Sequence, residues 1–322
     1  MNPIFGISGD TLVTGLPLVP AFMGIYLVFV IRSDFDLTVE ASFTLGGAVS
    51  SVLLQHAVPV AVAMIAGVLL AGLAGLCTTL LHIGLRIPVI LAGLVMATGL
   101  YSVNLHIMGQ PTISLLGYPT LFSRFQTLSL MRYDLVTSLI TAAVLSVVLA
   151  LVGIFLLSDI GLALRCAGVN GSFARSQGVN THLTTALALC SANALAGLSG
   201  ALAVQQQGFA DVDMGTGVLL AGIGAVLLGQ FLLRPSGSNV LKAIVSVIVG
   251  TLVYRLVLAI ALRVGLQATD LNAVTALILV ACFALRRSSD ALRKARTRRV
   301  FRSERDIVAE DDLRAVSSRR SC

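Results

Sequence analysis

Six polar side chains stand at every second position just before an apolar run: Asp34, Asp36, Thr38, Glu40, Ser42 and Thr44. Three carboxylates at the mouth of such a run are costly unless they meet water, a cation or a hydrogen-bond partner. If the chain enters extended, all six project from one face. That face would line a path for a polar solute or hold a proton or cation. The structural alternative is a hydrated loop that caps the next helix, with Thr38 or Ser42 as N-cap. Capping suits Asp34 and Asp36. Glu40, nearest the apolar run, suits the path. Asn104 and His106 sit late in another apolar run and Asn193 in a third. Each is either a lining group or a hydrogen bond between helices.

Other site chemistries find no support. His56, His82, His106 and His182 share no ligand spacing, so no metal site is expected. There is no Walker-type phosphate loop, no Gly-x-Ser-x-Gly elbow and no His-Glu-x-x-His pattern. The chain is expected to bind no ATP by itself, to carry no cofactor and to catalyse no covalent step.

One polar stretch stands apart, Ser158 to His182, reading SDIGLALRCAGVNGSFARSQGVNTH. Its charges and glycines bar it from hydrocarbon. Leu162, Ala163, Leu164, Phe173 and Ala174 make it too apolar for a solvated tether. It reads as two short helical turns broken at glycine and lying against something. An ordinary membrane-protein loop has a similar composition.

The elements that must position these groups follow from composition. The chain is 57% hydrophobic and 11% charged, with mean hydropathy +0.95, which marks a polytopic helical membrane protein. The net charge of +7 collects in loops and after residue 285, so it is not a nucleic-acid footprint. Five cysteines lack metal spacing and read as small apolar residues or free thiols. With no tryptophan, an interfacial belt falls to Tyr26, Tyr101, Tyr118, Tyr133 and Tyr254. No basic region precedes the first apolar run, so that run reads as an uncleaved insertion signal.

A bilayer core of about 30 Å needs about 20 apolar residues per helix. Nine spans are expected, near 11–31, 43–56, 59–82, 88–108, 134–157, 183–204, 215–233, 240–262 and 271–285. The 43–56 piece is short, contains Gly46 and Gly47, and is either broken or partly re-entrant. Together they form one transmembrane domain over 1–285. With 158–182 cytoplasmic, Arg32, Arg86, Arg234, Lys242 and the tail from Arg286 fall inside, and Arg124, Arg132 and Arg263 outside. The topology is then N-out and C-in. The 109–133 segment is an outer loop folded back onto the membrane surface. The tail 286–322 is a short helix followed by disorder, solvated or touching anionic lipid. Small residues at four-residue spacing, Gly67, Ala71, Gly75 and Ala192, Ala196, Gly200, predict close helix contacts. DLTVEASFTLGGAV at 36–49 and DMGTGVLLAGIGAV at 213–226 share Asp and Gly-Ala-Val at one offset. In this topology they enter from opposite sides, as an inverted repeat requires.

Four stretches carry a resemblance: DLTVEASFTLGGAV at 36–49, RIPVILAGLVMATGLYSVNLHIMGQP at 86–111, GLALRCAGVNGSFARSQGVN at 161–180 and SANALAGLSGALAVQQQGFADVDMG at 191–215. With them, most of 11–285 resembles the permease subunits of bacterial ABC importers of the branched-chain amino acid and ribose type. The nearest subgroup is that of amino-acid or tryptophan-type importers. Where that subgroup has glycine after Val-Glu, this chain has Ala41.

The resemblance implies that 161–180 docks into an ATPase subunit, with Arg165, Asn170, Arg175 and Gly178 at matching positions. It implies a permease dimer, homo- or heteromeric, around a central path. It implies two ABC ATPase subunits holding ATP and magnesium, an extracytoplasmic solute-binding protein, surrounding lipid and no nucleic acid. The Asp36–Thr44 piece then belongs to a broken helix by the path, with Asp36, Thr38, Glu40, Ser42, Thr44 and Asn104 as path residues. Transport of a small polar solute, an amino acid above all, across the bacterial inner membrane proceeds by alternating access. The alternative is an ATP-independent secondary transporter or channel using the carboxylates as ion sites. A membrane enzyme acting on lipid would need a partner motif for Asp34, Asp36 and Glu40.

Overall fold

The computed structural model describes residues 3–123, 130–234, 239–267, 270–271, 273–282 and 284. The chain divides into two units, Met1–Ala276 and Leu277–Cys322. To the second belongs the end of a short helix, Ala273–Cys282. The tail 286–322 and Arg124 lie outside the described residues.

The first span is helical throughout but not uniformly so. It comprises α1 (Pro3–Gly15), a tight turn Leu16–Leu18, α2 (Val19–Ile25) and a wider π-helical segment, Tyr26–Arg32. Pro17 and Pro20 lack the amide that an α-ladder uses, so the ladder changes pitch there. Ser33, left-handed at φ 63, ends it.

The remaining elements are α3 (Thr38–Gln55), α4 (Val60–Leu85), α5 (Val89–Met108), β1 (Thr112–Ser114), α6 (Leu130–Leu157), α7 (Asp159–Val169), α8 (Gly171–Ser176), α9 (Thr181–Gln207), β2 (Phe209–Asp211), α10 (Val218–Leu233) and α11 (Val240–Arg263).

Among the described residues, each of the nine expected spans contains helix. Six have the length and apolarity of a membrane crossing: Gly9–Arg32, α4, α5, Tyr133–Leu157, α9 and α11. The other three are α3, α10 with 16 residues, and Ala273–Cys282. α3 has 18 residues but carries Thr38, Glu40, Ser42, Thr44, Ser50 and Ser51. It is continuous across Gly46 and Gly47.

α3 is buried on nearly every side, between α4, α5 and α9. Glycine makes this possible. A Cβ on Gly46 would collide with the Gly197 backbone, on Gly67 with the Gly46 carbonyl, and on Gly200 with the Phe43 carbonyl. The two small-residue repeats thus bring α4 and α9 against α3 and one another, with backbone contact in place of side chains.

The helix ends sort the charge. Arg32 binds Thr185 near the start of α9, and α7 and α8 lie at that same end. α4 and α11 run antiparallel to α3 and α10, so Arg86, Arg234 and Lys242 also lie there. Asp10 and Arg263 pair at 3.4 Å at the other end.

Two expectations change. The described part of 109–133 does not merely lie on the membrane. β1 pairs antiparallel with β2 (Thr112↔Asp211, Ser114↔Phe209), and Ile113, Leu115 and Phe122 are buried in protein. Backbone amides at a membrane surface need partners, and the strand pair supplies them. Tyr26 and Tyr254 are interior, not interfacial. The Tyr254 hydroxyl bonds Thr275 at 2.8 Å and its ring meets Phe22 edge-on, so the phenol is satisfied inside. Tyr101 and Tyr118 are exposed.

Gly200→Ala should lower the stability of detergent-purified protein by about 1–3 kcal/mol through overpacking. Gly84→Ala, with open space around its Cβ, should be neutral or stabilising by up to about 1 kcal/mol. Thermal unfolding followed by size-exclusion fluorescence compares the two.

Candidate functional site

The polar series 34–44 is not an extended face. From Thr38 onward it is helix, so alternate residues diverge by about 200° and the six side chains have different partners. Asp34 faces Arg32 at 3.5 Å. Asp36 is buried. Its Oδ1 accepts the Thr38 amide at 2.8 Å and its Oδ2 accepts Asn193 Nδ2 at 2.7 Å. Leu37 is the N-cap of α3, in place of the expected Thr38 or Ser42, and Asp36 just before it binds the first helical amide. Thr38 shares a 2.7 Å hydrogen bond with Thr78 of α4. Ser42 is buried, with no hydrogen-bond partner for its hydroxyl among the described residues.

Glu40 reaches a different helix. Its Oε1 accepts the amides of Gly217 at 3.0 Å and Leu219 at 3.2 Å, the first turn of α10. Thr44 Oγ1 accepts the Gly215 amide at 3.1 Å. One turn of α3 thus satisfies the exposed donors that every helix start leaves. The carboxylate also meets the positive end of the α10 dipole. Gly215 is required here because a Cβ would strike the Glu40 carbonyl.

This junction lies deep. Asn193 is near the midpoint of α9, about 18 Å from its first residue by helical rise. α3 runs parallel to α9 from this level, since Phe43 meets Gly200 and Gly47 meets Val204. α10 runs the other way, along the first span, with Gly222 against Phe22 and Ile25. Two short helices therefore start together in the middle of the layer and diverge toward opposite ends. The matched stretches 36–49 and 213–226 are these two helices and their approaches. Their aspartates differ in role, because Asp36 is buried and Asp213 exposed. The first span packs on α9 and also on α10 and α11, and α9 packs on α3 and α4 as well as on the first span.

Asn104 and Asn193 join helices. Asn104 Nδ2 donates to the Ala41 carbonyl at 3.2 Å, and Asn193 also donates to Leu189. The Oδ1 atoms of both are buried without a hydrogen-bond partner among the described residues. Ala41 sits in unbent helix.

The 158–182 stretch forms α7 and α8, and the break is at Asn170, not at glycine. Asn170 is extended, and its Oδ1 accepts the Phe173 amide at 3.0 Å to start α8. Ser158 caps α7 and Asn180 caps α9 in the same way. Gly168 serves contact: a Cβ there would collide with the Ile31 carbonyl. Gly178, at φ 81, turns the chain into α9. Leu164, Ala167 and Ala174 are buried, while Leu162, Val169 and Phe173 are exposed. Arg175 is exposed and bonds Ser172, whereas Arg165 is half-buried and bonds back to Gly161.

Residues 8–284 match the family described as the branched-chain amino acid transport system / permease component. The chain belongs to this family. A tyrosine transport system permease protein of Clostridioides difficile is 30% identical over 278 residues, 86% of this chain and 90% of that protein. An uncharacterised protein of Rickettsia prowazekii is 35% identical over 268 residues, 82% and 92% of the two chains. No solved structure matches. This permease is thus a multi-pass membrane transport protein, as its apolar helices require.

Sequence reasoning missed Arg32, Gly215 and Gly217 as members of the site. An arginine ending a span and glycines after a strand are common features, and only the fold brings Arg32 to Ala167 and Thr185, and the glycines to Thr44 and Glu40.

Glu40→Ala should destabilise the protein by about 0.5–2 kcal/mol by removing the acceptor of two half-buried amides. Glu40→Gln, which keeps a carbonyl acceptor, should lose less. Thermal unfolding midpoints in detergent report the order.

Proposed function

We propose that this chain is the membrane subunit of an ATP-driven importer that carries an amino acid across the bacterial inner membrane by alternating access. It spans the membrane nine times, N-terminus out and C-terminus in, and contains an inverted repeat centred on α3 and α10. The collection of Arg32, Arg86, Arg165, Arg175, Arg234 and Lys242 at the α7 end supports that orientation. The opposed directions of α3 and α10 support the repeat.

The observation that carries the reading is the surface of α7 and α8. At the basic end of the bundle, two short helices bury one side on the spans and present Leu162, Val169 and Phe173 beside Arg175 on the other. Apolar groups exposed within a polar stretch mark a protein contact. Here the partner is an ABC ATPase, which holds ATP and magnesium. Arg165, Asn170, Arg175 and Gly178 shape the docking stretch, and Asn170 and Gly178 do so by setting the helix break and the exit turn.

An extracytoplasmic binding protein delivers solute at the β1–β2 end, and a second permease copy or a related chain completes the path. Asp36, Thr38, Glu40, Ser42, Thr44 and Asn104 border that path. Their hydrogen bonds hold the α3–α10 junction as the two halves rock. The family description and the tyrosine permease relative favour an amino acid as solute.

Stoichiometric co-purification of an ATPase from native membrane, and loss of it in Phe173→Asp, are the expected results. Arg165→Ala with Arg175→Ala should cut uptake at least tenfold while the protein stays folded. Uptake should stop on ATP depletion and survive an uncoupler. Uptake that follows the ion gradient would instead make this a secondary transporter.

A further inference from the structure

We propose that residues Ile31–Asp36 are the mechanical link between α7 and the α3–α10 junction, with Arg32 as its positioning residue. This rests on the reading that α7 and α8 take an ATPase.

The lower end of the link is gripped by α7. The Ile31 carbonyl packs on Gly168 with no room for a side chain. Arg32 Nη1 donates to the Ala167 carbonyl at 3.3 Å. The same guanidinium fastens to α9, with Nη2 to Thr185 Oγ1 at 2.7 Å and Nε to it at 3.2 Å. One side chain therefore bridges the surface helix and a core helix. The upper end is Asp36, which holds the α3 amide and Asn193. Gly93 allows α5 to close on this point, since a Cβ there would lie 2.9 Å from Asp36 Oδ1.

The link is short and tied along its length. Arg32 and Asp36 are four positions apart; Ser33 between them is left-handed, the Asp34 amide bonds back to the Val28 carbonyl at 3.1 Å, and the Asp34 carboxylate lies 3.5 Å from Arg32 Nε. Thr185 and Asn193, the anchors on α9, are eight positions apart, about 12 Å of helical rise. A displacement at Arg32 carries the turn at Ser33 and Asp34 with it. It passes to Asp36, then to the first turn of α3, and through Glu40 to the start of α10. Behind Arg32 the chain has a way to move. Tyr26–Arg32 is π-helical, and tightening that segment to an α-helix shifts its end by about one residue, roughly 1.5 Å. Such a change of pitch would give the route its second state.

The test uses the full complex of permease and ATPase in proteoliposomes, in a cysteine-free background. Spin labels go at Leu116→Cys by β1 and Leu220→Cys on α10, both exposed. ATP with vanadate should shift the distance between them in the otherwise native chain. In Arg32→Met the ATPase should still bind and hydrolyse ATP, but the shift should fall at least threefold. Thr185→Val should give a smaller loss, and Arg32→Lys should restore part of the shift. If Arg32→Met does not assemble, Arg32→Lys and Thr185→Val carry the same comparison.

An undiminished shift in these variants, with ATPase bound, overturns the link alone. A shift that falls only in proportion to thermal stability assigns Arg32 a merely structural role and also overturns it. Absence of an ATPase from the native complex overturns the importer reading, and the link with it.

Discussion

The structure depends on a carboxylate reaching across to the start of another helix. Two helices begin near the middle of the bundle, with the first amide of α3 buried and those at the start of α10 half-buried. Asp36 satisfies the start of α3 and Glu40 the start of α10. Without such partners each start would leave unpaired donors costing several kcal/mol in hydrocarbon. With them, both helices can be too short to cross the layer and still be stable within it. A single turn of α3 serves both ends, and this is why the two helices meet where they do.

The surroundings follow from that junction. α3 must be enclosed on all sides, since it carries polar groups at depth. Enclosure requires its neighbours to approach to backbone contact, which Gly46, Gly67, Gly197 and Gly200 permit. Asn104, Asn193 and Thr78 then fix the helices around it by hydrogen bonds that a fluid apolar interface would not supply. The same groups that make the junction stable make it a place where movement is felt, because α3, α5, α9 and α10 all contact it.

In a transport permease such an arrangement joins two tasks. The exposed face of α7 and α8 sits at the basic end of the bundle, and the junction sits near the midpoint of α9. Residues 31–36 are the chain's own connection between them. Their fastening at Ala167, Thr185 and Asn193 leaves the surface helix and the buried helix starts mechanically dependent.

The sequence by itself determined the helical membrane class, the places of the six long apolar helices and the small-residue faces by which α4 and α9 pack. These depend on local hydropathy and side-chain size, which composition along the chain reveals. It also marked 158–182 as two short helices. It misjudged the geometry of Asp34–Thr44, because a period of two signals a strand only where no helix is imposed, and tertiary burial imposes one from Thr38. It placed the break of 158–182 at glycine, whereas Asn170 makes it by capping. Only the tertiary structure decided what the carboxylates bind. Gly217 and Leu219 lie 177 and 179 positions beyond Glu40, and Asn193 lies 157 beyond Asp36. Hydrogen bonds between groups so distant leave no periodic trace in the chain, since they depend on how the helices cross and not on where each one begins.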